Sequence, residues 1–223
     1  MENHPSSRLL KLIIFGANGG IGKQCVSQAL AAGHQVNAIV RDPAKLPLSH
    51  PNLTIIKGDV TRPESFSASL EDRDLVISAI GHGGGLGSDK PTTLYSVGAE
   101  NMLREMSAAG IRRAFFISAS ALETSPALPP FYRFISTYVI QKLLKHSYAD
   151  LRRMEAIIKS SNSDWTIVRP PQLTNKPFSP AYRFAVNTYL KNALKVSRAA
   201  VAHFMLAHAT DSAIYKATIE IAQ

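Results

Sequence analysis

A chain of 223 residues is long enough for one α/β domain with a buried core, and its 45% hydrophobic content excludes intrinsic disorder. Its 25 Lys+Arg against 16 Asp+Glu give a formal charge of +9, but the cations are scattered and lack the dense tract of a nucleic-acid binder. Anionic small ligands are therefore the expected partners, and with no apolar run near the roughly eighteen residues of a membrane span, no membrane partner is expected.

Apolar runs alternate with helix-length segments. KLIIFGA (11–17) reads as the first strand, followed by a helix over 20–32 and a strand at QVNAIVR (35–41). LTIIKGD (53–59) is the third strand, 63–70 a short helix, DLVISAIG (74–81) the fourth strand and 92–109 a helix. RAFFISA (113–119), a long helical stretch around 131–160 and WTIVRP (165–170) continue the alternation. Strands alternating with helices predict a Rossmann-type α/β fold: a doubly wound parallel sheet with helices on both faces. Beyond 170, PPQLTNKPFSPAYRF predicts a loop, RAAVAHFMLAHATD (198–211) a helix and YKATIEIA (215–222) a last strand. No linker divides the chain, so 1–223 is expected to be a single domain, with a short substrate-side region from about 171–223. The opening MENHPSSRLL has no apolar run of a signal peptide, and the single Cys25 cannot form an internal disulfide, which predicts a reducing, cytoplasmic setting.

The first strand ends in G-x-x-G-x-x-G and runs into a helix, the context of a phosphate-binding turn. Gly16 permits the turn, Gly19 lets the backbone approach a pyrophosphate, and Gly22 allows close helix–strand packing. The backbone N–H groups at Gly20 and Ile21 open the helix and face the anion. An NAD site places a carboxylate at the end of the second strand, whereas this chain has Arg41 and Lys45 in VRDPAKL. A guanidinium pairs a 2′-phosphate bidentately, so NADP(H) is the expected cofactor. Asp42 should point to the opposite face from Arg41. Asp59 and Val60 end the third strand where an adenine edge would lie, although Asp59 can equally cap the turn toward Thr61 and Pro63. Ala79, Ile80 and Gly81 end the fourth strand beside the same crevice, and His82 with the glycines at 83–85 and 87 follows as a loop.

Taken with PTTLYSVGAENM, FFISAS, RRMEAIIKSSNSDWTIVRPPQL and VAHFMLAHATD, these motifs cover nearly the whole chain. The chain resembles the atypical short-chain dehydrogenase/reductases with NmrA-like NAD(P)-binding domains, and is most similar to the biliverdin IXβ reductase/flavin reductase type. The resemblance implies that Gly16, Asn18, Gly19, Ile21, Arg41 and Lys45 hold NADP(H). It also implies cofactor contacts at Asp59, Val60, Ala79, Gly81, Ile117, Ser118, Pro171, Gln172 and Leu173. It further implies hydride transfer from NADPH to a planar small-molecule electron acceptor such as a flavin, bilin or quinone. Two departures bear on the acceptor: Gln172 stands where that type carries a histidine, and Gly83 where it carries an arginine. The stretch SPALPPFYRFISTYVIQKLL also lengthens the connection before the sixth strand.

YVIQK contains a Tyr-x-x-x-Lys pair, Tyr138 and Lys142, with Ser118 and Ser120 upstream. In typical short-chain dehydrogenases such a tyrosine moves the proton while a lysine lowers its pKa. The same Tyr138 lies in a stripe with Phe131, Phe134, Ile135 and Leu143, which reads as a packing face. Ser118, at the end of the fifth strand, is either a substrate-facing hydroxyl or one satisfied by local backbone. A carbonyl reductase using Tyr138 and Lys142, and a cofactor-sensing regulator without catalysis, stand beside the planar-acceptor reductase. The densest cations, Arg112–Arg113 and Arg152–Arg153, read as solvated faces. Asp150, Arg153 and Glu155 read as a charged helix face opposite a buried Met154, Ile157 and Ile158.

Overall fold

The computed structural model describes residues 8–81, 91–123, 126–127, 129–135, 138–139 and 141–223. His82 and the glycines at 83–85 and 87 lie outside the described residues. In chain order the elements are β1 (Lys11–Phe15), α1 (Gly20–Ala31), β2 (Gln35–Val40), β3 (Leu53–Lys57), β4 (Leu75–Ser78), α2 (Leu94–Ala108), β5 (Arg113–Ile117), α3 (Pro130–Ile135), α4 (Gln141–Leu143) and α5 (Lys145–Ser160). They continue with β6 (Asp164–Arg169), β7 (Gln172–Thr174), β8 (Arg183–Val186), β9 (Lys195–Ser197), α6 (Arg198–Ala207) and β10 (Ala217–Ala222).

The main sheet has eight strands in the order β3-β2-β1-β4-β5-β6-β10-β8. Every pairing is parallel except the edge strand β8, which runs antiparallel to β10. Both faces are covered, and this is why the central strands are continuously apolar rather than alternating. Along β1, Leu12 and Ile14 face the layer of α1 and α6, while Ile13 and Phe15 face the layer of α2 and α5. The chain turns from β3 back to β4 across β1, which puts the topological switch point at the C-terminal ends of β1 and β4. The Rossmann-type expectation holds, and one domain encloses both core layers.

Several local expectations are corrected. Residues 63–70 form two 3-10 turns, Pro63–Ser65 and Ser67–Leu70, rather than an α-helix. Phe66 between them leaves helical geometry (φ −141°), and the Ser65 hydroxyl bonds the Arg62 carbonyl at 2.6 Å in competition with a helical ladder. The stretch around 131–160 is broken into α3, α4 and α5, with Leu144 (φ −103°, ψ 19°) turning its side chain against the core before α5 begins. The segment after Pro171 is more than loop: β7 pairs in parallel with β9, and β8 extends the main sheet.

Three charged residues read as solvated are in fact interior. Arg113 is buried, with its guanidinium bonded to the Ala209 and Asp164 carbonyls and to Thr166 Oγ1, over the ring of Phe115. Burial pushes its pKa down to about 10. Asp150 and Glu155 are also buried, although the helix spacing would allow a solvated face. Asp150 reaches from α5 to the start of α2, accepting from the Tyr95 amide at 2.8 Å and from the Ser96 hydroxyl. It thereby satisfies first-turn donors of a helix that carries no acid there itself. Among the described residues no helix is long and apolar enough to cross a membrane.

Candidate dinucleotide site

A cavity of about 1000 Å³ opens at the switch point. Its floor is the turn between β1 and α1. Gly16 has φ +71°, and a Cβ there would come within 2.4 Å of the Ala79 carbonyl. Only glycine fits, both for the left-handed backbone and for the approach of β4. A Cβ on Gly22 would lie 2.1 Å from the Gly16 carbonyl, so α1 packs directly on the turn. The Gly19 amide bonds the Gly16 carbonyl at 2.9 Å, and the first intrahelical bond runs from Lys23 to Gly19 at 2.8 Å. The amides of Gly20, Ile21 and Gly22 precede that bond, no side chain caps them, and the first turn holds no acid. They form an anion-binding helix start.

The cavity wall brings together most of the residues singled out in the sequence. Gly16, Asn18, Gly19, Gly20, Ile21, Arg41, Lys45, Asp59, Val60, Ala79, Ile80, Gly81, Ile117, Ser118 and Leu173 all line it. Arg41 is exposed at the rim, and Lys45 sits 3.8 Å from the Asp42 carboxylate. Asp42 itself is off the wall and caps the 3-10 turn Pro43–Lys45 by accepting from Ala44 at 3.2 Å. Asp59 lines the cavity and caps the turn, accepting from the Thr61 amide and hydroxyl at 2.9 and 2.8 Å. The Thr61 amide, aided by its hydroxyl and by the charges of Arg41 and Arg62, holds the Asp59 carboxyl below its ordinary range.

Other candidates fall outside the wall. Gly22 lies beneath it, and Pro171 and Gln172 are not among the lining residues. Strand alternation in β7 turns Leu173 inward and leaves Gln172 exposed. Tyr138 is 55% exposed, packs on Phe134 with ring centroids 4.9 Å apart, and is absent from the lining, as is Lys142.

The Ser118 hydroxyl donates to Glu155 Oε1 at 2.7 Å. Glu155 also accepts from Arg169 Nε and Nη2 at 2.8 and 2.5 Å and from Lys159 Nζ at 3.1 Å. Burial by itself would raise the Glu155 pKa, but the Arg169 bonds and charge, with Ser118 and Lys159, outweigh it and hold the carboxyl ionised below its ordinary range. Glu123 is a second partner of Arg169, at 3.1 Å.

The structure also adds residues that the sequence patterns missed. Arg198, the first residue of α6, lies over the glycine turn, where a Cβ on Gly20 would meet its side chain at 2.5 Å. Its Nη1 donates to Asn175 Oδ1 at 2.7 Å. Lys23, Tyr95, Ser147 and Tyr148 line the same cavity. The Ser147 hydroxyl is buried and has no hydrogen-bond partner among the described residues. A helical stretch uninterrupted at Leu144 gave no signal that its inward turn begins there.

Among the described lining residues, Lys23, Arg41, Lys45 and Arg198 face a single carboxylate, Asp59. Glycine floor, helix start and cationic wall fit a dinucleotide: amides and Arg198 for a pyrophosphate, strand ends for the nucleosides. Fold and site together define an NAD(P)-binding Rossmann protein. The chain belongs to the family described as NAD(P)H-binding, whose profile matches residues 16–212. It is 31% identical over 177 residues to the uncharacterized sugar epimerase YhfK of Bacillus subtilis (strain 168), spanning 75% of this chain and 74% of that protein. Among solved structures it resembles a wide-type short-chain dehydrogenase/reductase of Veillonella parvula DSM 2008 in complex with NADP. That match has a TM-score of 0.78 and 21% identity, covering 96% of this chain and 95% of that one. It also resembles ChuY, an anaerobilin reductase of Escherichia coli O157:H7, with a TM-score of 0.73 and 20% identity over 95% and 96% of the two chains.

Proposed function

We propose that the chain is an NADPH-dependent reductase of the atypical short-chain dehydrogenase/reductase group, passing hydride to a planar acceptor such as a flavin, bilin or quinone. The observation that carries the cofactor preference is the pair Arg41 and Lys45 after β2, on the wall where an NAD site has a carboxylate. The guanidinium supplies two parallel donors to a 2′-phosphate, and Lys45 adds a point charge. The NADP complex of the Veillonella neighbour and the bilin substrate in the name of ChuY support the same reading by analogy.

Bound in this cavity, NADPH supplies a hydride. The chain's own residues orient and enclose it: the glycine turn and Arg198 take the pyrophosphate, and Ile117, Ser118 and Leu173 border the nicotinamide end. Ser118 gives its hydrogen to an ionised Glu155, so the oxygen it turns to the cavity is an acceptor. It suits an N–H of the carboxamide or of the acceptor, and the acceptor's proton comes from solvent.

A second reading, carbonyl reduction, is favoured by one observation. Tyr148 is a buried tyrosine lining the cavity, next in sequence to Ser147, whose hydroxyl has no hydrogen-bond partner among the described residues, whereas Tyr138 is not among the lining residues. Burial raises the Tyr148 pKa, with Arg152 opposing, so the phenol keeps its proton for donation. The deciding experiment follows NADPH oxidation by absorbance with FMN, and with an aldehyde, against NADH. Turnover of FMN with NADPH preferred supports the first reading; turnover of the aldehyde alone selects the second. Tight NADPH binding with neither acceptor reduced leaves a cofactor sensor.

A further inference from the structure

We propose that the exposed apolar and cationic side chains of α3, α4 and the described flanking residues Tyr138, Val139 and Lys145 form an interfacial docking surface for an anionic lipid bilayer. Phe131, Phe134, Val139 and Leu143 are 68%, 58%, 49% and 48% exposed, and the Tyr132 ring is also out in solvent. Large apolar side chains scattered singly are ordinary on a surface, but these fall in one stretch of chain, with Phe131 against Tyr132 and Phe134 against Tyr138.

Charge decides the occupant. No aspartate or glutamate occurs between Glu123 and Asp150, while Arg133, Lys142 and Lys145 are all exposed there. Aromatic and aliphatic side chains next to cations, with no acid among them, are the composition of a segment that lies in the headgroup region of anionic lipid. A second copy would bring the same cations against themselves on a chain already at +9, so self-pairing is opposed by charge. The lack of a spanning helix bears on crossing a membrane and not on resting against one.

The surface adjoins the cavity wall. Gln141 Nε2 bonds the Ala121 carbonyl at 3.1 Å, and Leu144, next to Leu143, lines the cavity. Lipid-dissolved molecules would therefore collect at the rim of the cofactor site. This inference does not depend on which acceptor is reduced.

The test is flotation of the full chain with vesicles of phosphatidylglycerol and phosphatidylcholine, against phosphatidylcholine alone, at low and high salt. The wild type should float with the anionic vesicles, less so at high salt. Phe131→Ser/Phe134→Ser and Arg133→Glu/Lys145→Glu should each weaken that partition by at least about tenfold. NADPH affinity, measured on the same samples, should be unchanged, which separates this result from the cofactor reading. Failure of the wild type to float, or flotation undiminished in Phe131→Ser/Phe134→Ser, overturns the proposal. So does a concentration-dependent dimer in sedimentation that the Phe131→Ser/Phe134→Ser variant abolishes, which would make a second copy the occupant.

Discussion

Ser118 on β5 and Glu155 on α5 are joined by a hydrogen bond of 2.7 Å that links the cavity wall to a buried ion pair. A carboxylate only accepts, so the serine must donate, and the direction of that hydroxyl is set from behind the wall. Glu155 and Arg169 are themselves almost wholly enclosed, at 5% and 8% exposure.

The pH dependence of stability follows from that pair. The folded pKa of Glu155 lies below its ordinary 4.5, so its contribution is present above about pH 4.5 and is lost as pH falls through the folded value. Glu155→Ala leaves Arg169 buried with only Glu123, and should cost roughly 3–5 kcal/mol at neutral pH. Urea unfolding at about pH 7 and about pH 3 checks this: the wild type should lose more stability on acidification than Glu155→Gln. Equal losses would remove Glu155 from the acid response.

Arg41 and Arg198 should separate two phosphates. Arg41→Ala should weaken NADPH binding about 10- to 100-fold and leave NADH nearly unchanged, because only the 2′-phosphate is lost to it. Arg198→Ala should weaken both cofactors by a similar factor, since both carry the pyrophosphate. Titration of the two variants with each cofactor reads the contrast directly.

The glycines are not equivalent. Gly16→Ala meets both a left-handed φ of +71° and the Ala79 carbonyl, and should lower stability by at least about 1–2 kcal/mol, near 4 °C or more in Tm. Gly81→Ala places its methyl where, among the described residues other than its chain neighbours, no atom lies within 4 Å, so thermal melting should be unchanged although the residue lines the same cavity.

The two tyrosines also diverge. Tyr138→Phe should leave turnover and NADPH affinity as they are, because its ring lies on the outer surface against Phe134. If an aldehyde is reduced, Tyr148→Phe should lower kcat by about 100-fold or more while NADPH affinity is retained. Loss of turnover in Tyr138→Phe would return the proton to the Tyr138–Lys142 pair.

What the sequence determined by itself was what local pattern can encode. The glycine spacing after a β run, the position of Arg41 after the second strand and the alternation of strands with helices all depend on neighbours along the chain. Fold class and the floor of the cavity were legible for that reason. What only the tertiary structure decided depends on contacts between distant segments. The pairing of β7 with β9 carries Asn175 and Arg198 to the glycine turn, and no spacing in the sequence announces it. The break at Leu144 determines that Ser147 and Tyr148, rather than Tyr138, face the cavity. Charge spacing on α5 suits a solvated face, yet Asp150 and Glu155 are buried because α2 and Arg169 offer them donors from elsewhere. A helix period states which residues share a side; only packing states what that side meets.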